Sequence, residues 1–319
     1  MSEETKGYIS GGGGSEESMQ SNVDAFSKWK MIPRVLKETQ KRNMQIELFG
    51  NTYESPLLFA PIGALGMVHP QADLEIAKAA ATLKVPYIFS SQASVPMETC
   101  AQAMGDNPRW FQLYWGIKKE LTKSFVDRAI NCGCQAIVLT VDTSVLGWRT
   151  KDLNNAYLPF LHGHGIAQYT SDPVFQEIVK MADKEKSETS VNEDSIHFIL
   201  NLAKKIPGKN LENLKSGKAI KIVKTFTRIF ANPGLNWDDL EWLRSHVKIP
   251  ILLKGILHPD DAKKAKEIGM DGIIVSNHGG RQLGSVISSL DALLMIRKML
   301  PDFPILLDSG IRTGEDIFK

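Results

Sequence analysis

Ala136-Ile137-Val138-Leu139-Thr140-Val141-Asp142 and Gly272-Ile273-Ile274-Val275-Ser276-Asn277-His278 are the two stretches that decide the fold. Each is a short run of aliphatic, largely β-branched residues that turns polar only at its C-terminal end. That is how a strand covered on both faces reads when one end meets a site. The same shape recurs at Leu57 to Gly63, Pro86 to Ser91, Trp110 to Tyr114, Ile249 to Lys254 and Pro304 to Asp308. Segments with helical spacing fall between them: Asp73 to Leu83, Met97 to Met104 and Lys119 to Asn131. Strands alternating with helices, without hairpins, predict an α/β protein with a parallel sheet. The polar ends Ser90, Gln112, Tyr114, Thr140, Asp142, Lys254, Ser276, His278 and Asp308 would converge at the C-terminal mouth of an eight-stranded barrel. A dinucleotide-binding sheet would carry a glycine signature in its first turn, and no G-x-G-x-x-G follows a strand here. The expectation is a TIM (β/α)8-type barrel over residues 1–319.

Between Asp142 and Lys254 this rhythm breaks, and residues 146–234 read as a long insertion after the fourth strand. An insertion there lies at the catalytic face as a lid or wall. It should hold polar helices such as Asp194 to Lys205, with Trp237 to His246 just beyond, and a surface excursion at Lys184 to Asn192. At the other end, Gly11 to Gly14 beside Tyr8 reads in isolation as a linker or frayed terminus. From there to about Asn51 the text is helical and polar, broken at Pro33.

Composition narrows the class. With 38 Lys+Arg against 36 Asp+Glu the formal charge is 38 − 36 = +2, which lacks the basic excess of a nucleic-acid protein. No apolar run approaches the roughly 20 residues that span a bilayer, and MSEETKGYIS lacks the pattern of a signal peptide. The three cysteines, Cys100, Cys132 and Cys134, have no metal or redox spacing and read as reduced core thiols of a cytoplasmic protein.

Seven histidines compete for the role of a base. His69 and His258 lie at loop or capping positions, His197 and His246 in helical segments. His162 and His164 alternate with glycine, and two histidines alone make a poor metal site, so no metal is expected. His278 differs, because it ends a buried strand and opens Asn277-His278-Gly279-Gly280-Arg281. The glycines let a ligand approach and Arg281 adds a fixed cation. Asp142 and Lys254 either pair with each other as one buried salt bridge or face a polar ligand separately. Arg149 and Arg281 could together clamp a carboxylate.

Ser276-Asn277-His278-Gly279-Gly280-Arg281-Gln282 resembles the signature of the FMN-dependent α-hydroxy-acid oxidising enzymes, a family that includes glycolate oxidase, lactate oxidase and lactate 2-monooxygenase. Tyr8-Ile9-Ser10-Gly11-Gly12, Ala60-Pro61-Ile62-Gly63, Phe111-Gln112-Leu113-Tyr114, Leu139-Thr140-Val141-Asp142-Thr143, Leu253-Lys254-Gly255 and Leu307-Asp308-Ser309-Gly310-Ile311-Arg312 extend the likeness over almost the whole chain. Within the insertion, Leu146-Gly147-Trp148-Arg149, Leu158-Pro159-Phe160 and Gly165 to Pro173 resemble the lactate 2-monooxygenase branch. So does Gly63, where many oxidases carry alanine.

The resemblance implies FMN as cofactor and oxidation of a small L-2-hydroxy acid, lactate first, with molecular oxygen as acceptor. In the monooxygenase outcome the products are acetate, CO2 and water; an oxidase or dehydrogenase would release pyruvate. It makes His278 the base, oriented by Asp142. Arg281 and Arg149 hold the carboxylate, and Tyr8 and Tyr114 bond the substrate. Lys254 sits at the N1/C2-carbonyl edge of the flavin. Backbone at Pro61, Ile62 and Gly63 approaches N5, while Ser90, Gln112, Thr140 and Ser276 bond the ring or ribityl chain. Asp308, Gly310 and Arg312 reach toward ribityl and phosphate. The Gly11 to Gly14 tract becomes a substrate-site loop, and the protein a homo-oligomer.

Three departures stand out. Family members continue Arg-Gln with Asp-Gly, whereas Leu283 is followed here by Gly284 and Ser285, which removes a carboxylate and is expected to loosen the loop. The helix that precedes the tyrosine in the family is missing. The text ends at Glu315-Asp316-Ile317-Phe318-Lys319, so the expected barrel is truncated before its eighth strand, without the Gly-Arg turn that binds FMN phosphate. An open barrel exposes strand edges, and an inactive fragment of such an enzyme is the competing expectation.

Overall fold

The computed structural model describes residues 1–182 and 217–319; the expected helix Asp194 to Lys205 and excursion Lys184 to Asn192 lie outside the described residues. An antiparallel hairpin, β1 (Ile46–Leu48) and β2 (Asn51–Tyr53), precedes six parallel strands. These are β3 (Tyr87–Ser90), β4 (Arg109–Leu113), β5 (Ile137–Thr140), β6 (Ile251–Ile256), β7 (Gly272–Val275) and β8 (Ile305–Leu307), paired in chain order. The run Leu57 to Gly63 adds only a single parallel bridge, Phe59 to Tyr87. Proline has no N–H to give a ladder, and Pro56 and Pro61 bracket that bridge. Among the described residues β8 has one neighbour, β7, and no eighth barrel strand follows it.

The two-residue period of a strand explains how apolar runs build a polar site. Ile88, Trp110, Val138, Leu252, Ile274 and Leu306 form one inward cluster, and the hairpin closes it from below with Ile46, Leu48, Phe49 and Tyr53. Phe49 and Tyr53 meet the Trp110 ring at 6.0 and 6.5 Å. Two residues on from each inward side chain stand Ser90, Gln112, Thr140, Lys254, Ser276 and Asp308. Being of the same parity, they point into the same interior one step nearer the C-terminal mouth. The alternate positions Phe89, Phe111, Leu139, Leu253, Ile273 and Val275 face outward and pack with the helices in the main core.

Expected and observed helices coincide at Met97–Met104, Lys119–Asn131 and Trp237–His246, and Ala72–Leu83 begins one residue early. Asn236 and Asp239 form a capping box that fixes the start of Trp237–His246. The described residues of the expected insertion reach the core: Phe160, Tyr169, Phe175 and Phe226 are buried, with Tyr169 edge-on to Phe226 at 4.8 Å.

The N-terminal text departs most from expectation. Tyr8 sits in the last turn of a helix, Glu3–Ser10, where no helix was expected. Gly11, Gly12 and Gly13 are buried, so the tract is no linker. It needs its glycines because a Cβ on Gly13 would lie 3.0 Å from the Leu283 backbone nitrogen and one on Gly14 3.1 Å from the Gly284 Cα. Beyond Glu17–Ser27 the expected helical text to Asn51 forms no further helix. Ile32, Val35 and Leu36 lie exposed there, and a segment interrupted by Pro33 without an apolar surface to pack on cannot sustain a helix.

Candidate active site

The C-terminal strand ends open into a cavity of about 460 Å³. Its floor is a continuous polar row. The Ser90 hydroxyl donates to Gln112 Oε1 (3.3 Å), and Gln112 Nε2 donates to Thr140 Oγ1 (2.9 Å). Next along, Lys254 Nζ lies 2.9 Å from Ser276 Oγ and 2.9 Å from Asp308 Oδ2. Burial opposes the Lys254 ammonium, but Asp308 and Asp142 more than offset it and hold its pKa above the ordinary value. Pro61, Ile62 and Gly63 form the facing wall.

Above this floor stands an imidazole–carboxylate pair. His278 Nδ1 is 2.8 Å from Asp142 Oδ1, and the Thr143 hydroxyl reaches both, at 3.3 and 2.9 Å. Burial pushes the Asp142 carboxyl up, yet the hydrogen bond and charge of His278, with Lys254 and Thr143, bring it below the usual aspartate range. An ionised carboxylate only accepts, so Nδ1 carries the proton shared with Asp142, and Nε2 is the ring nitrogen left for a ligand. The two charges that sequence left either paired or separate are therefore separate: Asp142 serves His278 and Lys254 serves Asp308.

Backbone geometry makes this placement possible. Lys254 and Ile256 flank a register shift between β6 and β7, centred on Gly255 with φ 106°. A Cβ on Gly255 would fall 2.6 Å from Asp142 Cβ, so only glycine admits the carboxylate there. His278 itself has φ 60°, a left-handed conformation rare outside glycine. Side chains hold the turn: His278 N donates to Ser276 Oγ, Gly279 N to Ser309 Oγ and Gly280 N to Asn277 Oδ1, each at 3.0 Å.

Tyr8, Tyr114, Arg149 and Arg281 complete the cavity lining. The guanidinium groups of Arg281 and Arg149 stand 5.0 and 5.7 Å from the centre of the Tyr8 ring. Arg149 Nε donates to the Arg281 carbonyl (3.1 Å), and an Arg281 Nη1–H donates to the Gly11 carbonyl. Burial and the neighbouring Arg149 lower the Arg281 pKa. Burial, then Asp142, push the Tyr114 phenol up to about 12, so it stays a neutral donor.

Most of the site residues read from sequence meet here, but four do not line the cavity. Asp142 and Ser276 stand behind His278 and Lys254 as their partners. Arg312 is exposed and bonds its own neighbour's carbonyl at Ile311, and Gly310, with φ 89°, makes room for the Asn22 carbonyl. The loop that lost its carboxylate is not loosened: Ser18 N donates to the Gly284 carbonyl, the Ser18 hydroxyl to Leu283 O and Val286 N to Ser18 Oγ, each at 2.9 Å. Sequence reasoning missed Thr143, Gln282, whose Nε2 donates to the Asp142 carbonyl at 2.8 Å, and the amide pair Asn22–Asn277. The first two lay inside the quoted motifs; Asn22 carried no local signal.

The family model described as FMN-dependent dehydrogenase matches residues 1–319. The chain belongs to the FMN-dependent α-hydroxy-acid dehydrogenase and oxidase family. An L-lactate oxidase of Lysinibacillus sphaericus is 41% identical over 314 residues, covering 98% of this chain and 72% of that protein. An FMN-dependent alpha-hydroxy acid dehydrogenase of Penicillium citrinum is 37% identical over 320 residues, covering 100% of this chain and 72% of its own. Among solved structures, a mandelate oxidase with (S)-4-hydroxymandelic acid superposes with TM-score 0.77 at 29% identity, over 99% of this chain and 78% of that one. Those relatives confirm the α/β barrel class, and FMN is the family's cofactor. The described cavity suits the polar flavin ring: backbone at Pro61 to Gly63 and a row of side-chain donors and acceptors line it beside a buried cation. No helix among the described residues is long and apolar enough to cross a membrane.

Proposed function

We propose that this chain binds FMN in the cavity and oxidises a small L-2-hydroxy acid, lactate first, with molecular oxygen as acceptor. The observation that carries the reading is the His278–Asp142 pair, 2.8 Å apart, with His278 in one cavity with a polar strand-end row and two arginines. Arg149 and Arg281 take the substrate carboxylate, the fork geometry of guanidinium matching its two oxygens. Tyr8 and Tyr114, which line the same cavity, would donate to the substrate. His278 Nε2 accepts the proton, and Asp142 stabilises the imidazolium that results. Bound FMN supplies the two-electron acceptor. Lys254, held by Ser276, would supply a buried positive charge to the flavin, and Ser90, Gln112 and Thr140 would be its polar contacts. Pro61, Ile62 and Gly63 would cover the ring and Asp308 would bond the ribityl chain, whereas Gly310 and Arg312, outside the cavity lining, would have to meet the phosphate from beyond it.

The finer outcome is the monooxygenase one: lactate and O2 give acetate, CO2 and water. It is supported by the likeness of the insertion and of Gly63 to that branch. The described residues of the insertion, 146–182 and 217–234, would form a wall that retains products, since Phe160 and Phe230 line the cavity from it. A second reading, release of pyruvate and peroxide, is favoured by the L-lactate oxidase likeness. One experiment tests both steps. The purified chain supplied with FMN should show flavin absorbance that L-lactate bleaches without air. Acetate in proportion to lactate consumed in air marks the monooxygenase, and pyruvate with peroxide the oxidase. A chain that takes up no flavin or is not bleached overturns the reading.

A further inference from the structure

One buried carboxylate beside the two cavity-lining arginines accepts no hydrogen bond. Asp152, on the short helix Thr150–Asn154, is about nine-tenths buried, and neither of its oxygens has a hydrogen-bond partner. Arg149 Nη1 is 3.9 Å away, beyond hydrogen-bond reach. The nearby carboxylates are otherwise engaged: Asp142 with His278, Asp308 with Lys254, and Glu16 with Lys151. The cluster under the substrate position thus holds two guanidinium charges, Arg149 and Arg281, and one carboxylate, a net of +1.

A buried carboxylate that makes no bond costs folding free energy, and two buried cations side by side cost more. The field of Asp152 relieves the second cost without occupying any arginine N–H by a hydrogen bond of its own. Burial pushes the Asp152 carboxyl up, and Arg149 and Arg281 pull it back toward the charged form.

We propose that Asp152 is a positioning residue that sets the charge of the arginine clamp, cancelling one of its two positive charges so that the pocket matches one carboxylate and discriminates against dicarboxylates. Removing that charge without changing shape would leave a +2 clamp, which attracts a dianion more than a monoanion. The inference rests on the hydroxy-acid reading and gives Asp152 its part there, the matching of the clamp to a single carboxylate.

The test uses two inert ligands of similar shape, propionate and malonate, which differ by one carboxylate. Calorimetric titration of the FMN-supplied chain at pH 7 should find propionate bound more tightly. In Asp152→Asn the affinity ratio should move toward malonate by about tenfold or more, and Asp152→Glu should return it to within about threefold of the parent. An unchanged ratio in a folded Asp152→Asn overturns the proposal. Should that variant not fold, Asp152→Ser repeats the measurement. The parent ratio decides without any variant, because a parent that prefers malonate overturns the proposal. Binding is read apart from turnover: a chain that shows the expected ratios yet never oxidises lactate overturns the proposed reaction and supports the charge matching.

Discussion

Replacing Asp142 by asparagine tests how the base is made. The structure places Asp142 Oδ1 2.8 Å from His278 Nδ1, a charge-assisted contact when the imidazole gains a proton. Charges about 4 Å apart interact by about 4 kcal/mol at an effective dielectric constant near 20. A net hydrogen bond to a charged group contributes about 1.5–3 kcal/mol. Taking about 3 kcal/mol as the stabilisation of the imidazolium, its loss slows the proton-accepting step by roughly two decades. The variant also threatens the tautomer, since an amide nitrogen turned toward Nδ1 would place the histidine proton on Nε2. Anaerobic stopped-flow bleaching by L-lactate should therefore slow by 10² to 10⁴, about the range expected of a positioned base. Circular dichroism and FMN affinity should stay within about twofold. His278→Gln should lose at least as much, and the double variant no more than His278→Gln alone, because the two act as one unit. Rates within about threefold of the parent for Asp142→Asn, or additive losses in the double variant, would refute the argument.

Other consequences can be measured alongside. Asn22→Ala removes an amide that bonds Asn277 in both directions, at 2.8 and 2.7 Å, and accepts from Ser289 N; urea unfolding should show about 2 kcal/mol lost, with KM for lactate rising more than kcat falls. Lys254→Met leaves Asp308 without its cation and strips the polar floor of its charge, so the dissociation constant of FMN, read by fluorescence quenching, should rise about tenfold or more. Burial pushes the Asp73 carboxyl up to about 6 from 3.8, so the folded chain holds that proton longer than the unfolded one. Its stabilising contribution is full below pH 3.8 and lost as pH rises to 6, about 3 kcal/mol in all, and Asp73→Asn should remove that part of the slope in urea midpoints between pH 4 and 7.

The strands and most of the polar row were legible because their information is local. An inward position turns from Val138 to Thr140, or Leu252 to Lys254, within two residues, and that parity can be read without tertiary structure. The pairing was not legible. Asp142 and Lys254 look alike as lone charges on apolar strands, and only the bulge at Gly255 and the left-handed turn at His278 decide that one goes to His278 and the other to Asp308. The glycine tract misled for a related reason. Taken alone, four glycines mean flexibility, whereas here their missing side chains are the space that the Leu283 and Gly284 backbone fills. Loss of the family's carboxylate after Gln282 is likewise answered at a distance, by Ser18.

That distant answer bears on how the site is assembled. Arg281 is held by the Gly11 carbonyl, the His278 turn by an Asn277 amide that Asn22 completes, and the Leu283 to Val286 loop by Ser18. Each bond joins residues more than 250 positions apart in the chain. Tyr8, the ring beneath both guanidinium groups, rides on the same N-terminal segment. The proposed clamp is thus held by contacts between the N-terminal arm and the loop after β7. Docking of the arm and capture of a carboxylate draw on the same contacts, so a ligand that bridges the two arginines should stabilise the arm, and a loosened arm should weaken the ligand by the same free energy.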